Sequence, residues 1–107
     1  MDCNSYSYAP HMLDGERDNR IAHYDNDDMS AEITPSSRGN VGAWERGWTV
    51  YAGSYDGQLD VCEFFVSFDR ALDLYKHIVR EYKHTPPGGE LNRYIRQLLK
   101  QDRRRSA

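Results

Sequence analysis

The sequence predicts an α+β domain: a small antiparallel sheet followed by two antiparallel helices packed on one face. Three observations carry that expectation. Two runs rich in aromatic and β-branched residues, Trp48–Tyr55 and Leu59–Val66, flank Asp56-Gly57, a residue pair favoured in tight hairpin turns. Two later stretches repeat their apolar residues with a helical period. The strands come first and the helices last, an order that argues for α+β and against a βαβ nucleotide-binding unit.

Each element follows from its residues. Positions 1–19 show no sustained period and are rich in Asp, Asn, Ser and Tyr, so they are expected to form an irregular acidic arm. Arg20–Tyr24 and Met29–Ile33 read as a first hairpin over about 20–33, with Asp25-Asn26-Asp27-Asp28 as its turn. Thr34–Gly47 carries Pro35, two serines and three glycines and is expected to be a surface loop, pinned to the core by Val41 and Trp44. The second hairpin spans about 48–66. A two-residue type I′ turn at Asp56-Gly57 sets Ala52 opposite Val61, Tyr51 opposite Cys62 and Trp48 opposite Phe65. One face then holds Trp48, Val50, Ala52, Leu59, Val61 and Phe65, with Glu63 as the misfit.

The first helix is expected over about 69–83, capped by Ser67 or Asp69. Ala71, Leu72, Leu74, Tyr75, Ile78, Val79 and Tyr82 share one side, and Phe65 should pack under Leu72, Tyr75 and Val79. His84-Thr85-Pro86-Pro87-Gly88-Gly89 stops that helix. The second helix runs over about 90–104 on a stripe of Leu91, Tyr94, Ile95, Leu98 and Leu99. Residues 20–104 thus make a single domain, and 105–107 a basic tail.

With 107 residues, the chain matches the usual size of one domain. It has no apolar run approaching a membrane span and no signal-peptide pattern at Met1-Asp2-Cys3-Asn4. Two cysteines, Cys3 and Cys62, are too few for a disulfide framework and suit a reducing compartment. A cytoplasmic protein is the resulting expectation. Residues 1–47 carry nine acids and four bases, while 90–107 carry two acids and six bases. An acidic front and a basic end mark candidate interaction surfaces.

Catalytic and cofactor signatures do not emerge. Pro87-Gly88-Gly89-Glu90 opens a helix but lacks the Lys and Ser/Thr of a phosphate loop, and Glu90 repels an anion there. Counting a calcium loop from Asp25 puts Met29, Ser30 and Ser36 where ligands or glycine are required. His11, His23, His77 and His84 show no zinc-like spacing with the cysteines. Cys62 in a strand reads as a small hydrophobe rather than a reactive thiol. The expectation is no cofactor, no metal and, by weight of residues, no catalysis.

Surface chemistry is the stronger signal. Eight tyrosines and two tryptophans are many for this length, and interfaces favour such residues. Tyr6, Tyr8 and Tyr24 with Asp25, Asp27 and Asp28 form the expected partner-binding face, suited to a larger protein or ribonucleoprotein with a basic surface. The alternative face is Arg93, Arg96, Lys100, Arg103 and Arg104 on the last helix, suited to nucleic acid. Small acidic α+β chains with a structured hairpin and no catalytic motif are common among phage and mobile-element inhibitors, anti-CRISPR proteins included. Toxin-neutralising immunity proteins share this character. That analogy is one of class, and a non-catalytic inhibitor is the function it suggests.

Overall fold

A computed structural model describes residues 21–40 and 43–106. Four strands, β1 (Ala22–Asp25), β2 (Met29–Asn40), β3 (Ala43–Ser54) and β4 (Asp60–Phe65), form one antiparallel sheet in the order β1-β2-β3-β4. Two helices follow, α1 (Phe68–Tyr82) and α2 (Gly89–Ser106). α1 lies on β2, β3 and β4, and α2 packs beside α1. The expected fold class is the one observed.

Alternation builds the core. Ala31, Ile33, Val50, Ala52, Val61 and Phe65 point to one side of the sheet and are buried. Ala71, Leu74 and Ile78 of α1 and Leu91, Ile95 and Leu98 of α2 complete the cluster. Phe65 is 0% exposed. Leu72, Tyr75 and Val79, expected directly above it, are only partly buried and pack against the edge of the core. The β3–β4 register is the one the sequence predicts, with Trp48 opposite Phe65 and Ala52 opposite Val61.

The turn that sets this register differs in kind. Ser54 and Leu59 close it through a backbone bond of 3.0 Å, so the loop holds four residues, Tyr55–Gln58. A type I′ turn needs positive φ at both central residues, yet only Gly57 has it, at 82°. The Asp56 carboxylate instead accepts from Ser54 Oγ (2.6 Å) and the Gln58 amide (3.0 Å), which favours the wider loop.

The expected loop 34–47 is strand. β2 and β3 pair continuously from Met29↔Ser54 to Asn40↔Ala43. β1 pairs no farther than Ile33, so from Pro35 onward β2 is an edge strand, where proline is tolerated. Cross-strand contacts compensate for weak propensity: Ser36 Oγ meets Thr49 Oγ1 at 2.6 Å, and Arg38 Nε donates to Glu45 at 3.1 Å. Gly47 is required by close approach, because a Cβ there would collide with the Phe65 carbonyl. Trp44 does not pin this segment to the core; it is 61% exposed. Val41 lies outside the described residues.

Ser67 occupies the N-cap of α1 without a side-chain cap bond. Asp102 of α2 braces the residues at the helix entrance instead: its two carboxylate oxygens accept from the Val66 and Ser67 amides, both at 2.9 Å. α2 continues to Ser106 and takes in Arg105 and Ser106, expected as tail.

The opposite sheet face carries Glu32, Thr34 and Thr49, all buried, with Thr34 Oγ1 donating to Glu32 at 3.2 Å. Cys62 shares that face, half-buried, and is disulfide-bonded. The chain's other cysteine, Cys3, lies outside the described residues. Disulfides persist mainly in oxidising compartments, so the cysteines lend no support to a cytoplasmic location, and Cys62 is not the simple buried hydrophobe expected.

Two predictions follow from this packing. Asp102→Ala orphans two amides at the β4–α1 junction and should cost roughly 2–5 kcal/mol in denaturant unfolding. Glu63 faces the core opposite Val50, and burial pushes its carboxyl above the usual range. Its folded pKa exceeds its unfolded one, so the linked stability is present in acid and lost as pH rises through the folded value. Glu63→Gln should therefore raise Tm at neutral pH, with the gain disappearing below the carboxylate range.

Candidate interaction site

In a meander the β1–β2 and β3–β4 turns lie at the same end of the sheet. That geometry brings Asp25, Asp27 and Asp28 of one turn beside Tyr55 and Asp56 of the other. The Tyr55 amide donates to the Asp28 carbonyl at 3.0 Å, and the Tyr55 hydroxyl donates to Asp25 Oδ1 at 3.0 Å. Asn26 shapes the first turn: its Oδ1 accepts from the Asp28 amide (2.7 Å) and the Met29 amide (2.8 Å). Its Nδ2 donates to the Lys83 carbonyl at 3.0 Å, tying the turn to the end of α1.

The segment after α1 closes this end. His84 Nδ1 stands 3.0 Å from Asp28 Oδ2. Asp27, Asp28, Tyr55, Asp56, Tyr82 and His84 are among the groups lining a groove of about 220 Å³. The local field is negative. The hydrogen bond to the Asp25 carboxylate, then its charge, push the Tyr55 phenol up, while the Ser54 hydroxyl and Gln58 amide hold Asp56 down. Tyr55 is 68% exposed, so the end offers carboxylates around one projecting aromatic ring.

The expected site residues divide. Asp25, Asp27 and Asp28 are exposed and clustered. Tyr24 is not part of an outward face: it points to the core side with Ala22, is half-buried, and accepts a bond from Asn26 at 3.1 Å. The cause is register, because Tyr24 pairs with buried Ala31. Tyr6 and Tyr8 lie outside the described residues. Arg93, Arg96 and Lys100 are exposed together along α2, lining a shallow groove with Gln97. Arg103 and Arg104 continue that helix. Tyr55, Asp56 and His84 were missed, although up-and-down strand order alone puts the second turn beside the first. Among the described residues no three His, Cys, Asp or Glu side chains gather as metal ligands, and no helix is long and apolar enough to cross a membrane.

No family model, curated protein or solved structure matches this chain.

Asp25→Asn should lower the Tyr55 titration toward that of an ordinary phenol while leaving the fold intact, since Asn serves turns about as well as Asp. Tyrosine-ring NMR across alkaline pH would measure it. An unchanged Tyr55 titration would remove the Asp25 contact.

Proposed function

We propose that this is a non-catalytic interaction protein that blocks a larger partner by covering a basic surface, as a nucleic-acid-processing complex presents. One observation carries the reading: Asp25, Asp27, Asp28 and Asp56 are gathered from two separate turns around exposed Tyr55. Clustered carboxylates steer association with a positive surface, and a projecting tyrosine supplies an anchor with a stiff apolar body and polar tip. The class analogy with phage-borne inhibitors agrees with this division of labour.

A second reading rests on Arg93, Arg96 and Lys100, a row of exposed cations one helical turn apart, which suits a nucleic-acid-binding accessory protein.

Replacing Asp25, Asp27 and Asp28 together by Asn separates the two. With a purified partner, association should slow and its salt dependence flatten. Tyr55→Ala should raise the dissociation rate, by tenfold or more if the ring is an anchor worth about 1.4 kcal/mol. Unchanged binding by the Asn variant, with binding abolished by Arg96→Ala plus Lys100→Ala, assigns function to the helix instead.

A further inference from the structure

The end of the molecule opposite the acidic turns is built differently. Beyond the Pro35↔Trp48 pair, β2 and β3 continue as a two-stranded ribbon from Ser36↔Gly47 to Asn40↔Ala43. Neither neighbour follows: β1 stops at Ile33 and β4 at Trp48. Alternation puts Trp44, Arg46 and Trp48 on one face of β3. Trp44 and Arg46 are exposed there, whereas Trp48 is half-buried with its ring edge-on to Phe68 at 5.5 Å. Two positions along a strand span about 7 Å, so this face presents an open indole with a guanidinium beside it.

Arg38 lies on the other face, fixed rather than free-swinging. Its guanidinium sits 4.3 Å over the Phe64 ring and bonds Glu45 at 3.1 Å, yet its side chain remains 52% exposed. The end of α2 comes to the base of the same ribbon, because Asp102 bonds Val66 and Ser67, next in sequence to Phe65, the partner of Trp48. From there the helix backbone continues to Ser106. The helices and the Trp44–Arg46 face occupy the same side of the sheet. Exposed Trp44 with Arg46 beside it on one face, and Arg38 on the other, therefore stand at the pole farthest from Asp25, Asp27, Asp28 and Asp56.

We propose that this ribbon is a binding surface for single-stranded nucleic acid. The chemistry favours a single strand: bases are unpaired and can stack on Trp44, while arginines meet the backbone phosphates. The row Arg93, Arg96 and Lys100 lacks an outward aromatic, since Tyr94 is turned into the helix packing, and the ribbon supplies the ring that row is missing. Acidic charge at the opposite pole repels the strand from the rest of the molecule and confines it here. The surface is independent of the acidic end, and either reading stands if the other fails.

The test is fluorescence anisotropy of a labelled oligothymidylate of about 16 nucleotides, the upper end of a single-domain site, titrated with the full chain at two salt concentrations. Binding should fall steeply with salt, and Trp44→Ala should weaken it roughly 5- to 150-fold, the loss of one stacked base. Arg46→Ala should lower the log–log salt slope by about 0.7, one phosphate contact on a single strand. Trp44 is outside the core, and circular dichroism of the variant should confirm its fold. No binding at low salt overturns the proposal. So does full affinity in Trp44→Ala, equal loss of duplex and single-strand binding in that variant, or binding that depends on Arg96 and Lys100 alone.

Discussion

The carboxylate of Asp102 holds the two layers of this protein in register. It is 3% exposed and accepts two main-chain amides at the point where β4 becomes α1. A helix start leaves several amides without partners, and here the local residue, Ser67, does not answer them with its side chain. Burial of a carboxylate is tolerated because both oxygens are occupied by charge-assisted bonds. The bridge fixes the end of α2 against the point where the chain leaves β4 and enters α1. Arg70 adds a second tie between the helices, donating to Gln101 at 2.6 Å.

How much of this was legible depended on whether the deciding interaction was local. The 48–66 hairpin could be read residue by residue, since alternation and the Asp56-Gly57 pair fixed the ladder even though the loop proved wider. Both helices were legible from period alone. The ribbon was not: Pro35, Ser36, Ser37, Gly39 and Gly47 have the composition of a loop, and only pairing with a partner strand makes them extended. Tyr24 was recoverable, because Ala22 and Tyr24 alternate in step with Ile33 and Ala31, but the polar turn beside it drew the reading outward. Asp102 was beyond reach, being 35 and 36 residues from the amides it braces.

The candidate site shows the same division. Its acidic half was visible as a run of aspartates in one turn. Its other half comes from positions distant in sequence: Tyr55 and Asp56 meet the first turn because strands alternate direction, and His84 because α1 ends beside it. Acids from two turns gather at one pole, while the ribbon at the other carries Arg38 and Arg46. A net charge of −3 conceals that difference between the two ends.

The sequential pairing of the strands also has a kinetic meaning. Among the described residues each strand bonds to its neighbours in the chain, so the sheet forms by closing short loops, at small entropic cost for each. The helices add contacts that are local within themselves. The β2–β3 pair, twelve residues on each side, has the most bonds to gain and is the natural place for structure to begin. Closure by Asp102 comes across a separation of 35 residues and requires both helices to be in place. Folding should thus proceed as an early hairpin followed by late locking of the helical layer, and perturbations at the lock would speed unfolding far more than they slow folding.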